Sequence, residues 1–471
     1  MNFQSFHFIA FYCVVLFVVR ILLAKKHYAK KKFLLVASYY FYMCWDWRFA
    51  GLILVITLVN FLVGPKITEN KSDKKIWLAV SLLTSLGVLA YFKYANFFIE
   101  SMNILLSTFG LSHELPILNV LLPVGISFYT FQSISYTLDI YRGRTEPVSS
   151  FSDFALFVSF FPQLVAGPIV RASHFLPQLK GEHKEANNAI ETGFALIIRG
   201  FIKKIVIADV LALHIVDPAF SAPSAYSPIF LLVSIYAYSY QVYMDFSGYT
   251  DIARGIARTL GYELQINFNR PYKAVSISNF WQRWHISMSS FFRDYLYFGL
   301  GGSKYGNVYV NLMLTFVAIG VWHGAGWNFV VYGFCHAVFV SLERWRRSQR
   351  KTHGLSEPQY NGVRWAWQVF WIFNIVSFSR LFFRGGSIEG AFSYGKAMTN
   401  FDNTYLPFDF IGIFVLLFAV VLQYLPSSWT FDWKEFYCRL PSVIQACLMV
   451  GTIFVVVALS TGQAPFIYFQ F

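Results

Sequence analysis

The stretch AIGVWHGAGWNF (Ala318–Phe329) holds a single ionisable side chain, His323, in an otherwise uncharged apolar run. An imidazole titrates near neutral pH, so it can accept or return a proton in a reaction, the chemistry of a general base or a proton relay. A second cluster of chemically capable residues lies just upstream, in SNFWQRWHISMSSFFRDYLYFGLGG (278–302). It combines Trp281, Arg283, Trp284, His285, Arg293 and Asp294, and closes on Gly-Gly. Arg283 and Arg293 are guanidinium donors suited to phosphate oxygens. Trp281, His285 and Ser289 recur at i, i+4 and i+8, which predicts one shared helical face.

Each feature also has a plainer reading. His323 can be a hydrogen-bonded packing histidine near an interface, and the same reading fits His336 better, because no chain break adjoins it. The 278–302 cluster can be an amphipathic interfacial helix with snorkelling arginines and an aromatic belt. Asp245, in YMDFSGYTDIARG (243–255), reads as an acid at the end of a span, paired with a nearby Arg.

The elements that must position these residues are membrane helices. Hydrophobic residues make up 56% of the 471, aromatics 20% and charged residues only 13%, and mean hydropathy is +0.49. A soluble domain carries about 25% charged residues. The pattern is that of an all-α polytopic membrane protein in contact with lipid, with one membrane domain over 1–471: N-terminal spans in 1–112, core motifs in 120–345 and C-terminal spans in 360–471. The net charge of +14 is concentrated in short loops, so a positive-inside bias explains it and no nucleic-acid partner is expected. The five cysteines lack CxxC spacing and read as packing residues. No metal site is expected.

MNFQSFH carries no basic residue ahead of the first apolar run, whereas KKHYAKKK (25–32) follows it. This predicts an uncleaved first span at 5–24 with the N-terminus outside. The segment 33–64 is too long for one pass and breaks at WDWR (45–48). Further spans are expected at 76–94, 117–139, 226–244, 364–383, 407–424 and 441–461, with a polar outer loop around SHELP (112–116). The segment 151–168 has basic flanks on both sides and reads as re-entrant or interfacial, broken by Pro162 and Pro168. The 189–216 region, with Arg199, Lys203 and Lys204, is either a span with a basic end or a partly interfacial helix. The count is about eleven spans plus one or two re-entrant elements.

Residues 305–342 contain no Asp, Glu, Lys or Arg. As a single helix they would reach about 57 Å, nearly twice the bilayer core. Basic segments at both ends require the chain to enter and return, and GAG (324–326) is the predicted turn. Each half is slightly short of a full crossing, which puts His323 at membrane depth, where an ionisable side chain points to function.

The pair NFWQRWHISMSSFFRDYLY and VWHGAGWNFVVYG, with its two histidines 38 residues apart, resembles the membrane-bound O-acyltransferase (MBOAT) superfamily. SYYFYMCWDWRF, LPVGISFYTFQSISYTLDIYRG, FFPQLVAGPIVR and YMDFSGYTDIARG narrow the resemblance to the membrane subunits of bacterial O-acetylation, which act on alginate, cellulose or peptidoglycan. It extends from about residue 30 to 385. Teichoic-acid D-alanyl transferases share the core motifs but resemble this chain less elsewhere.

The resemblance implies a ring of tilted helices around a central tunnel, in the bacterial cytoplasmic (inner) membrane. It also implies that His323 is the essential histidine and His285 the second polar position. The donor would be a cytoplasmic thioester, acetyl-CoA as co-substrate, with no tightly bound cofactor, and the acceptor an extracytoplasmic polysaccharide. On that basis His323 is the expected general base and His285 orients or polarises the thioester. Trp281, Arg283, Trp284, Arg293 and Lys273 are the expected substrate-binding residues. The sequence contains no GxSxG elbow and its expected outer loops are short, so an extracytoplasmic acetyltransferase partner is expected to complete polymer acetylation. Two other readings stand beside this one: D-alanyl or other acyl transfer to a cell-wall polymer or lipid, and a transporter or channel with a histidine relay.

Overall fold

The structure is a computed structural model. It describes every residue except 2, 70–71, 112–113, 166, 181–184, 186, 408, 427–431, 460–465 and 467–471. Among the described residues it is built of helices and loops, with no strand. Four helical runs are long and apolar enough to cross a membrane: Arg48–Glu69, Lys74–Thr108, Gly362–Arg384 and Ser442–Leu459. Phe6–Leu22, Val308–His323 and Phe410–Tyr424 are shorter apolar helices. Large apolar side chains face outward on them, among them Phe410, Phe414, Leu417 and Val421. Such a surface is stable against lipid and costly against water.

The chain divides into two compact units. The first comprises Met1–Ile197, Ala253–Gln265 and Tyr437–Thr461. Helices His27–Met43 and Arg48–Glu69 flank the expected break at WDWR. At the centre of this unit stands Ile126–Tyr141, whose residues are all buried except Leu138 and Tyr141. Small polar residues knit it to its neighbours: Ser81 Oγ lies 2.8 Å from Thr137 Oγ1 and donates to Asn60 Oδ1 at 2.6 Å. Such side chains satisfy one another where water is excluded and let helices approach closely.

The expected span at 117–139 is corrected here. Residues 114–123 form no helix, and only Ile126–Tyr141 of this span is helical. Pro123 lacks an N–H, and Gly125 adopts a left-handed φ of 75°. The non-helical backbone is held by the side-chain amides of two asparagines. Asn103 exchanges two hydrogen bonds with Leu115, at 2.9 and 2.8 Å, and Asn96 exchanges two with Leu118, both 2.9 Å. The Lys74–Thr108 run that carries both asparagines continues well past the expected end at residue 94. The outer loop around SHELP lies partly outside the described residues. Segment 151–168 is broken, but at Phe160, between helices Phe151–Ser159 and Phe161–Leu164, and Pro162 lies in the first turn of the second helix.

The second unit comprises Ile198–Ile252, Ile266–Phe436 and Gly462–Phe471. Its centre is a hairpin of helices Val308–His323 and Trp327–Thr352, turning at the expected GAG. Gly324 and Gly326 adopt extended φ values of −160° and −169°. Left-handed backbone is therefore not what selects them; on Gly324, a Cβ would collide with the ring of Phe329.

Pro228–Thr259 is a 32-residue helix, and Asp245 lies in its middle. This corrects the reading of a span-terminal acid paired with Arg. Asp245 is buried and pairs with Lys204 at 2.6 Å, while Lys204 also reaches Asp209 at 2.7 Å. The π-helical stretch Ile202–Asp209 carries Lys204 inward. Beside it, Arg199 and Lys203 both hold Asp251, at 2.8 and 2.7 Å.

Candidate active site

Within the second unit the two candidate histidines lie against the same tryptophan. His323 is the last residue of its helix, buried to 3% exposure. Its ring meets Trp322 at 5.0 Å, Phe383 at 5.3 Å and Tyr332 at 6.0 Å, all edge-on. His285, fully buried, lies 5.5 Å from the same Trp322 and 4.7 Å from Phe246. Trp322 therefore contacts both imidazoles.

The shared helical face expected for Trp281, His285 and Ser289 is corrected. The segment is two short helices, Ile277–Trp281 and Ile286–Phe291, and His285 between them adopts a left-handed φ of 43°. A non-glycine residue bears a cost there of about 1–2 kcal/mol, so the surroundings must enforce it. Asn267 does so. Its carbonyl accepts from Ile286 N–H at 3.0 Å, and its Oδ1 accepts from Ser287 N–H and Oγ–H at 3.0 and 2.9 Å. The kink turns His285 toward Phe246 and Trp322, and Ser289 Oγ donates to Trp284 O at 3.0 Å.

Trp281 and Trp284 are both buried. Trp281 Nε1–H donates to His336 Nδ1 at 3.3 Å, and His336 Nε2 lies 3.0 Å from Ser379 Oγ. Ser379 gives its own hydroxyl proton to Val376 O. His336 Nε2 is thus the donor and Nδ1 the acceptor, so the ring is neutral and satisfied on both nitrogens. It acts as a packing group, as its lack of an adjoining chain break suggested. Trp284 is covered by the guanidinium of Arg380 at 4.5 Å.

Two neighbouring cavities open beside this cluster. One of about 310 Å³ is lined by Trp281, Ser289, Arg293, Phe316, Ile319 and Arg344. The other, of about 960 Å³, is lined by Asn279, Arg283, Arg346, Arg347, Arg350 and Trp371. They share Ser278, Gln282, Glu343 and Arg347 in their walls. Arg283 Nε donates to Asn279 Oδ1 at 3.0 Å, and Arg293 pairs with Asp294 at 2.7 Å. Lys273 Nζ donates to the Leu425 carbonyl at 2.8 Å. Partial burial, then the charges of Arg270 and Arg283, push the Lys273 ammonium below its usual range. Such a cationic group favours an anionic ligand.

Arg346, Arg347 and Arg350, in the basic segment that follows the uncharged run, line the larger cavity. Their clustering in ERWRRSQRK was the available signal. Arg380 and Asn267 were missed, because neither belongs to a charged run or a motif with an obvious role.

A helical membrane protein with two buried histidines on one aromatic wall, beside an arginine-lined cavity, has the makings of an enzyme acting on an anionic donor. Residues 147–384 match the family model described as MBOAT, membrane-bound O-acyltransferase family. The chain belongs to this family, and it is an acyltransferase. It is 39% identical over 79% of its length to the probable alginate O-acetylase AlgI of Pseudomonas putida, covering 75% of that protein. It is 36% identical over 81% of its length to the peptidoglycan O-acetyltransferase of Helicobacter pylori, covering 76% of it. The teichoic acid D-alanyltransferase of Streptococcus thermophilus is 28% identical over 56% of this chain and 68% of its own length.

Proposed function

We propose that this chain takes an acetyl group from cytoplasmic acetyl-CoA and passes it across a bacterial inner membrane for O-acetylation of an extracytoplasmic polysaccharide of the alginate, cellulose or peptidoglycan class. About eleven spans would ring a central tunnel, with the N-terminus outside. The observation that carries the reading is that His323 and His285 both contact the ring of Trp322, at 5.0 and 5.5 Å. The relatives named as O-acetylases support acetyl as the acyl group.

In the reaction, an acceptor hydroxyl oxygen attacks the thioester carbonyl carbon as His323 takes the hydroxyl proton. The carbonyl electron pair moves to oxygen. The C–S bond then breaks, and the departing thiolate recovers the proton from the His323 imidazolium. His285, held by its Asn267-clamped turn, orients the thioester. Arg283, Arg346 and Lys273 bind the phosphates of CoA, while Trp281, Trp284 and Arg293 shape the way in. A separate extracytoplasmic acetyltransferase completes transfer to the polymer.

The test is acetyl-CoA turnover by the purified chain, with and without its partner, comparing wild type with His323→Ala. Acetyl transfer to polymer by the chain alone removes the partner step. Preference for a D-alanyl donor, the reading that the teichoic-acid relative favours, replaces acetyl. Solute transport without turnover replaces the enzyme reading of the tunnel.

A further inference from the structure

Arg380 lies inside the apolar run Gly362–Arg384, a candidate membrane span, and is only 3% exposed. Its Nη1 donates to the Tyr272 hydroxyl at 2.6 Å and to the Ser239 carbonyl at 3.3 Å. Its guanidinium plane covers Trp284 at 4.5 Å and approaches Tyr272 at 5.5 Å. Nη2 is buried and has no hydrogen-bond partner among the described residues. No carboxylate among them lies within ion-pairing distance of it. Arg384, one turn later and more exposed, shows the ordinary arrangement, with Asp217 at 2.8 Å. A buried cation without a counter-charge is strongly destabilising unless its site is completed by an anion.

Arg380 also belongs to the wall that carries His323. Ser379, its neighbour, contacts His336 at 3.0 Å, and His336 packs on Tyr332 at 4.7 Å. Tyr332 and Phe383, the latter three residues beyond Arg380, are the two rings that flank His323 at 6.0 and 5.3 Å. The aromatic faces and the tyrosine hydroxyl fix the guanidinium in advance, which is what a group stabilising transient charge requires.

We propose that Arg380 is a catalytic residue. Its free Nη2–H donates to the thioester carbonyl oxygen as that oxygen becomes an oxyanion. The inference rests on the acyl-transfer reading above. As the acceptor oxygen bonds to the acyl carbon, the carbonyl π pair moves onto oxygen and meets Arg380. When the C–S bond breaks, the pair returns to re-form the carbonyl. The counter-charge that Arg380 lacks at rest is supplied only during the reaction.

The test measures steady-state acetyl-CoA turnover, with its partner acceptor present, by wild type, Arg380→Gln and Arg380→Lys. Arg380→Lys keeps the positive charge if Arg380→Gln does not fold. A group met only in the transition state lowers kcat and kcat/KM together and leaves KM unmoved. Arg380→Gln is expected to lose about 10²–10³-fold in kcat, and Arg380→Lys about tenfold, because an ammonium cannot reproduce the fixed fork. Wild-type kcat in both variants overturns the proposal. So does a raised KM for acetyl-CoA at unchanged kcat, which assigns Arg380 to a standing phosphate of the donor. A wild-type chain that turns over no acetyl-CoA removes the acyl-transfer reading and this inference together. Active wild type with unaffected variants removes the inference alone.

Discussion

Gly320 faces Gly333 across the central hairpin so closely that a Cβ built on Gly320 would stand 3.1 Å from the Gly333 Cα and collide with the Phe329 carbonyl oxygen. This backbone-to-backbone contact fixes the register of the two helices. It therefore fixes where His323, three residues beyond Gly320, meets Phe383 and Tyr332. Gly320→Val must push the helices apart. Overpacking of this kind costs about 1–3 kcal/mol. A lower thermal midpoint together with reduced kcat is expected, readable by scanning fluorimetry and turnover on the same sample.

Trp281→Phe removes the donor to His336 Nδ1 and leaves a buried acceptor unpaired. A loss of about 1–3 kcal/mol is expected. Because His336 acts by packing, kcat should change far less than stability. A kcat loss without destabilisation would instead make His336 a participant in the chemistry.

Lys204 and Asp245 are both buried and 2.6 Å apart. Removing one partner of such a pair strands the other and costs about 3–5 kcal/mol. Lys204→Met is therefore expected to lower the thermal midpoint sharply, and adding Asp245→Leu to recover part of the loss. A double variant no better than the single one would mean that Asp209 carries most of the Lys204 interaction.

Arg283→Ala combined with Arg346→Ala should weaken the donor site without touching the reacting atoms. Losing a charge-assisted hydrogen bond costs about 1.5–3 kcal/mol, so KM for acetyl-CoA should rise about tenfold or more at similar kcat. Added salt should raise the wild-type KM in the same direction, since exposed arginines are screened. Unchanged KM in the double variant places the CoA phosphates elsewhere.

Glu185 gives a pH dependence. Partial burial raises its carboxyl pKa, but Arg20 and Lys30 outweigh this and hold the carboxyl below its usual range. A depressed folded value means that its stabilisation is full above the unfolded value of about 4.3 and fades as pH falls through the folded one. The midpoint difference between wild type and Glu185→Gln should be positive at neutral pH and shrink below about pH 4. The side chain is 38% exposed, so solvent limits the size of the effect.

The central hairpin was legible because its evidence is local: 38 residues without charge between two basic segments allow few paths. The composition of the 278–302 cluster was legible for the same reason, but its geometry was not. The kink at His285 is imposed by Asn267, whose contacts with Ile286 and Ser287 span about twenty residues of chain. Asp245 was misread because Lys204, its partner, lies on a separate helix. The non-helical segment before Gly125 depends on Asn96 and Asn103 of an earlier helix. Arg380 left no signal in the sequence, since one arginine near the end of an apolar run reads as a snorkelling side chain. Its meaning lies in its burial and in the absence of a carboxylate within ion-pairing distance among the described residues.

Acetyl-CoA turnover by purified His323→Ala, measured beside wild type at matched thermal stability, decides whether His323 is the general base. Loss of a positioned general base should lower kcat by about 10²–10⁴-fold with donor binding retained. Turnover equal to wild type would mean that His323 takes no part in moving the proton.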